Sequence, residues 1–518
     1  MKHTHYVTAA ALLGAAVAAI PAHGDSRARD LQRAATAHYE AQYRSILDEY
    51  AQLVEIPNHA SDRTGIERNL AELERMLARR GFRTQRLEAP EASPALYGEL
   101  ERAASRPTLV FYAHYDGQPV GTSGWKTPPF EPTLDRNGTQ SPLRGALAAM
   151  PRVPEDAWRI YGRSTADDKA PIIAMLAALD ALRGRGEPLA VNLKVFLEGE
   201  EEIGSPHLAR IVREHADLLT ADLLLFADGP RHQSGRPQVV LGVRGVQSAQ
   251  ITLFGPARAL HSGHYGSWAV NPAARLGDLL ASLRAPDGRV KIAGFYEAVD
   301  QKLADRGVVA DESLERELLK ELRLSRRENV DQPLARTVAW PSLNIVGLKS
   351  GDTGPAARNA IPVEATANLD FRLVPRQTPG GVQQQLQNHL TMLGYRVVGT
   401  REAAEAAPDR DRLALVQWDR AGYSGARFTE DAPPVRALID LMRELHGGEL
   451  VVAPILGGSL PLALFAENSP VSAVVVLPIA NYDNNQHAPN ENLTLGSLRY
   501  GIGTFAAILG GWRVTADD

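Results

Sequence analysis

Helical periods and short apolar runs alternate along most of the chain. Between 28 and 57, Leu31, Ala35, Tyr39, Tyr43, Leu47 and Tyr50 recur at close to 3.6-residue spacing, which predicts a helix. A second amphipathic helix is predicted over 65–82, closed by Gly81. "TLVFYAH" (108–114) reads as a buried strand, as do 191–199 and 221–229. The stretch 167–186 is a helix with Asp at its start and Gly past its end. A helix over 433–447 and a strand over 470–479 resume the pattern later. Such alternation predicts an α/β domain around a mostly parallel central sheet. Functional residues then collect at the carboxyl ends of its strands.

The pattern changes near 245. A strand (246–255), a helix (271–284), two strands (342–348 and 363–374), a helix (380–393) and a strand (395–402) follow in turn. That is the ferredoxin-like order of an α+β domain. A charged helical insert occupies about 294–328. The expected organisation is a signal peptide over 1–24, an α/β domain in two parts (25–245 and 426–518), and a second domain inserted over 246–425. Residues 136–158 are rich in Gly and Pro and read as a surface insert beside the entrance to the site.

Composition narrows the class. Of 518 residues, 44% are hydrophobic and 23% charged, as in ordinary globular proteins. The formal charge of −5 gives no basic field for nucleic acid. There is no cysteine, which excludes disulfides and cysteine-based metal fingers. At the start, Lys2, the apolar run 7–20 and Ala22-His23-Gly24 read as a cleaved export signal. The run falls short of the roughly 20 residues that span a membrane. A secreted or periplasmic protein, free of the membrane after cleavage, is expected.

Acid and histidine clusters follow several of the strands. His114 and Asp116 close "TLVFYAH", Glu198 to Glu202 follow "LKVFL", Asp228 follows "LLLFA", and His487 trails "VVVLPI". Asp167 and Asp168 open a helix. Taken singly, each is an ordinary turn, cap or solvated acidic residue. Together at one rim the carboxylates would repel, and a divalent metal relieves that repulsion. Two His and three or more carboxylates without Cys suit zinc, manganese or cobalt, and two ions use the donors better than one.

The blocks "HYDGQP", "GWKTPPFEP", "YGRSTADDK", "EGEEEIGS", "HSGHYG", "IPVEATANLDFRLVP", "GGSLP" and "QHAPNE" occur in this order. They resemble the dinuclear-metal exopeptidases of peptidase family M-twenty, which includes carnosinases, peptidase V, carboxypeptidase G and aminoacylases. The carnosinase-like dipeptidase branch is the nearest in pattern. The resemblance implies that His114, Asp167 and Asp228 hold one metal, and that Asp167, Glu202 and His487 hold the other. Zinc is the first expectation for both. Asp116 would orient His114, and Glu201 would act as general base. The two-part domain would be catalytic and the inserted one a lid and dimerisation domain, whose His261 would reach the active site of a partner in a homodimer. Arg372 would clamp the substrate carboxylate, with Ser459 and Asn359 also contacting substrate.

The sequence departs from the family's usual pattern at Ser164 and Ala170, where glycine is usual. The resemblance implies hydrolysis of dipeptides or short peptides with a free carboxyl terminus. N-acyl amino acids are the alternative substrates. A non-catalytic binding relative is the third reading, disfavoured because every ligand and Glu201 are present.

Overall fold

The computed structural model describes residues 26–514, apart from 152, 307, 309, 420 and 421. The expected signal segment lies outside the described residues. An eight-stranded sheet forms the larger body. Its spatial order is Arg83–Leu87, Ala95–Glu99, Asn192–Glu198, Thr108–His114, Leu223–Phe226, Val474–Val476, Gln238–Val240 and Val451–Ala453. The four middle strands, from Asn192–Glu198 to Val474–Val476, run parallel. Antiparallel pairings occur only toward the two sides.

The alternation of each strand sorts its side chains to two faces. Leu109, Phe111 and Ala113 join one core with the helices Arg27–Val54, Lys169–Gly184 and Leu495–Gly511. Val110 and Tyr112 join another, against Leu208–Glu214 and Leu462–Asn468. In that second core Tyr112 stacks on Phe226 with centroids 3.8 Å apart, and Phe465 meets both edge-on. Helices on both faces of the sheet leave its strand ends as the open rim.

The inserted body carries a five-stranded sheet in the order Ser342–Ser350, Glu364–Leu373, Gly245–Phe254, Leu413–Trp418 and Arg396–Val398. Helices Pro272–Leu283 and Pro379–Met392 cover one face, with Leu279, Leu283, Leu386 and Leu390 in its core. This differs in one respect from the expected order. The place beside Gly245–Phe254 belongs to Leu413–Trp418, while Arg396–Val398 is an added edge strand, parallel to it. Leu413, Ala414 and Leu415 are fully buried, which fixes that strand in the middle.

Segment 136–158 also departs from expectation. Thr133–Arg136 and Thr139–Pro142 form a hairpin in a four-stranded sheet, followed by the short helix Leu143–Ala146. Leu143, Leu147 and Met150 are buried, and Arg44 donates to the carbonyls of Leu147 and Met150. The segment therefore packs on the first helix, and none of it lines the cleft described below.

Candidate metal centre

His114 is the last residue of its strand and is fully buried. Asp228 lies two residues past the neighbouring parallel strand. Glu201 and Glu202 open a single 3-10 turn after Asn192–Glu198. Asp167 precedes helix Lys169–Gly184. His487 sits in the loop after Val474–Val476, with a left-handed φ of 61°, uncommon for a non-glycine residue. All five candidate ligands thus reach one rim of the sheet, where the parallel strands end.

Asp167 stands at the middle. Its Oδ1 lies 2.9 Å from His114 Nε2, and its Oδ2 lies 3.2 Å from His487 Nε2. His114 Nε2 also faces Asp228 Oδ2 at 3.8 Å, and His487 Nε2 faces Glu202 Oε2 at 3.2 Å. The structure brings the five expected residues together around Asp167, but its compact donor groups are His114 with Asp168 and Asp228, and His114 with Asp167 and Glu202. Asp168 joins the cluster of His114 and Asp228. Its Oδ2 accepts the backbone N–H of His114 at 3.2 Å.

Electrostatics agrees with a cation site. Asp228 Oδ2 and Asp168 Oδ1 are buried without a hydrogen-bond partner. An orphaned buried carboxylate oxygen is costly unless a cation faces it. Burial raises the Glu202 carboxyl to about 8 and Asp228 to about 6, and pushes Glu201 well above the usual carboxylate range. Burial alone would raise Asp167, but the His114 and His487 hydrogen bonds outweigh it and hold Asp167 low. The hydrogen bond to Asp167 lifts His487 to about 9. The donor set fits a divalent cation.

Three buried groups hold this arrangement. Asp116 accepts the backbone N–H of Glu201 at 3.2 Å and of Glu202 at 3.0 Å, and its Oδ1 is 3.4 Å from His114 Nδ1. One carboxylate therefore orients a ligand and the turn bearing Glu201. Glu491, in the quoted "QHAPNE" block but assigned no role from sequence, accepts from Arg163, Ser164, Ala166 and Asp167. Its signal in the sequence was only its place four residues after His487. Lys169 donates from Nζ to the carbonyls of Leu53 and Ile56, at 2.8 and 3.0 Å, closing the end of the first helix.

Ser164 takes a φ of 61°, the left-handed region where glycine is unstrained. Its Oγ accepts a hydrogen bond from Asn58 Nδ2 at 2.9 Å, which compensates locally. Ala170 is fully buried and makes the start of the helix without opening space. Both departures stay in the supporting layer.

A cleft of about 700 Å³ runs from this centre. Asp167, Glu201, Asp228 and His487 line it, as do Arg372 and Ser459. Arg372 Nη1 donates to Ser459 Oγ at 2.9 Å, and Ser459 Oγ donates to the Gly245 carbonyl at 3.1 Å. His261 and Asn359 are not brought to this cleft within the chain. Both are exposed, His261 at the end of strand Leu260–His261 and Asn359 just before its partner strand Ala360–Ile361, where the N–H of Ser262 bonds to the Asn359 carbonyl. "HSGHYG" contains a single helical turn, Ser262–Tyr265. The His261 and His264 rings stand 4.6 Å apart there.

Buried carboxylates with one buried and one exposed imidazole at a strand rim, a further acid beside them and an open cleft are the equipment of a metal-dependent hydrolase of amide bonds. Residues 110–510 match Peptidase family M20/M25/M40, and the chain belongs to that family. It is 27% identical over 420 residues to the Cys-Gly metallodipeptidase dug1 of Schizosaccharomyces pombe, covering 80% of this chain and 81% of that protein. It is 25% identical over 426 residues to the human Beta-Ala-His dipeptidase, covering 80% and 76%. The fold matches the crystal structure of the M20 family metallo-carboxypeptidase Sso-CP2 from Sulfolobus solfataricus, with a TM-score of 0.72, 27% identity, and coverage of 90% of this chain and 99% of that one.

Proposed function

We propose that this protein is an exported dinuclear metallodipeptidase that releases the C-terminal residue of dipeptides or short peptides. The observation that carries the reading is Asp167, whose two oxygens face two different histidines at 2.9 and 3.2 Å with Glu201 on the same rim. His114, Asp167 and Asp228 hold one ion; Asp167, Glu202 and His487 hold the second, with zinc suited to both. The curated relatives named above are both dipeptidases, which favours that substrate class.

When bound, the metals acidify a water and polarise the scissile carbonyl. Glu201 takes the proton of the attacking water and passes it to the leaving amine. In the metal-free protein burial keeps its carboxyl well above the usual carboxylate range, and bound cations would lower it toward the ionised form that a base needs. Asp116 keeps Glu201 and His114 in place through the bonds described above. Arg372 binds the substrate carboxylate with its forked guanidinium, and Ser459 aligns that fork. Asn359 is assigned a substrate contact on the lid. His261 of the partner subunit stabilises the oxyanion, since this chain's own His261 lies outside its cleft. The functional unit is therefore a homodimer. Among the described residues no helix is long and apolar enough to cross a membrane. Export rests on the N-terminal segment alone.

The deciding experiment compares amino-acid release from a dipeptide panel with release from matched N-acetyl amino acids, using zinc- or manganese-loaded protein. Faster dipeptide cleavage supports the reading. Faster acyl cleavage replaces it with an amidohydrolase of N-acyl amino acids at the same centre.

A further inference from the structure

We propose that the cleft carries a subsite for a large apolar side chain on the C-terminal residue of the substrate. Its wall is made by Leu334 and Val338, the two ends of the short helix Leu334–Val338 that follows the helical insert, and by Leu456 of the turn that leads to Ser459. The inference rests on the dipeptidase reading and adds a substrate preference to it.

The wall adjoins the metal centre. A Cβ placed on Gly229, the neighbour of Asp228, would lie 3.5 Å from Leu456 Cδ2. On its other side the same turn touches that helix: a Cβ on Gly457 would lie 3.0 Å from Val338 Cγ1. Arg244 donates to the Gly457 carbonyl and fixes the turn. Two residues on, Ser459 receives the hydrogen bond from Arg372. The apolar wall and the carboxylate clamp are thus parts of one short turn.

That adjacency selects the occupant. The carboxylate and the side chain of a C-terminal residue leave the same Cα. A carboxylate held at Arg372 therefore sets its side chain against the wall beside the clamp. Leu334 is 39% exposed although it lines the cleft, so its apolar surface is available to a ligand. The cleft's 700 Å³ exceeds what a C-terminal glycine would fill. Burying an aliphatic side chain there gains about 25 cal/mol per Å² of apolar surface. A discrimination of at least ~10-fold over glycine follows for a side chain of leucine size.

The test measures kcat/KM for Ala-Leu and Ala-Gly with the zinc-loaded full-length protein, then with Leu334→Asp and Leu456→Asn. Expected is an Ala-Leu preference of at least ~10-fold in the unaltered protein. In either folded variant the ratio of the two values should fall by about 10-fold. Equal cleavage of both dipeptides by the unaltered protein would overturn the subsite while leaving the dipeptidase reading intact. A ratio unchanged in both variants would overturn it too. Cleavage of neither dipeptide would overturn the dipeptidase reading, and the subsite with it. The unaltered protein decides the question even where a variant does not fold.

Discussion

Glu491 Oε1 accepts the backbone N–H of Asp167 at 3.0 Å, so the loop bearing His487 directly fixes the loop bearing the shared ligand. The same carboxylate accepts from Ala166 at 2.8 Å, Ser164 at 2.9 Å and Arg163 Nη1 at 2.7 Å. Arg163 and Glu491 are both almost wholly buried. The first and last parts of the catalytic domain are far apart in sequence, and this network brings their ligands to one point.

Glu491→Gln should disturb both stability and metal retention. The amide keeps the shape but supplies one acceptor oxygen, and it leaves Arg163 as an unpaired buried charge. Breaking a buried pair costs about 3–5 kcal/mol. Urea unfolding should show a loss of that order. Zinc retained after dialysis against a chelator should fall, because the Asp167 backbone is no longer held. Unchanged retention would mean that Asp167 is positioned without Glu491.

Metal binding should release protons. In the metal-free protein at pH 7, Glu202 (about 8) and His487 (about 9) carry protons, and so does His114, where burial is outweighed by the hydrogen bonds to Asp116 and Asp167 that hold it well above its usual value. Ligation requires all three to be deprotonated. About three protons should therefore leave per protein, and affinity should rise between pH 6 and pH 9. Calorimetry of zinc binding in buffers of different ionisation enthalpy measures the number directly. No buffer dependence would mean that these groups are not ligands.

Much of the rim was legible because the candidate ligands stand at places the strand pattern marks. His114, Asp228 and the Glu201–Glu202 pair each follow an apolar run, and the four middle strands bring those ends together. Glu491 was not legible, since a single acid in a loop carries no sign of what it will bond. Strand Gln238–Val240 is too short to show alternation. Helix Leu495–Gly511 escaped for a different reason. It is buried on nearly all sides and rich in glycine, which has poor helix propensity. Its glycines answer tertiary contacts: a Cβ on Gly510 would lie 2.8 Å from Leu31 Cδ1, and one on Gly501 2.7 Å from Ile479 Cδ1. The strand Leu413–Trp418 displaced the expected Arg396–Val398 because its apolar run is the one that can be buried fully in mid-sheet.

Lys169 gives stability a pH dependence of known sign. Burial lowers its ammonium from 10.5 to about 7 in the folded protein. Between those values the unfolded chain binds more protons than the folded one, so this residue makes stability rise with pH across that window. Below pH 7 its full charging penalty applies. Lys169→Met removes the two bonds to the Leu53 and Ile56 carbonyls, worth about 2 kcal/mol together. The variant should therefore be less stable than the parent near pH 10, and the gap should close and then reverse toward pH 7, where the charging penalty exceeds the two bonds lost. Denaturant unfolding of both proteins at several pH values checks this. A gap that stays constant would mean that Lys169 is charged throughout.

The assignment of Glu201 and His261 to opposite subunits can be tested by mixing two inactive proteins. Glu201→Gln should lower kcat by about 10²–10⁴-fold while zinc remains bound, since Glu201 is outside both ligand groups. His261→Ala should lower kcat by about 10²–10³-fold through loss of an oxyanion donor. A heterodimer of the two has one site with Glu201 from one chain and His261 of the partner subunit, both intact. Random reassociation makes half of the dimers heterodimers, each with one working site, so about a quarter of the original activity should return. If both residues act within one chain, every site in the mixture lacks one of them. No activity would then return, and the homodimeric active site would have to be abandoned.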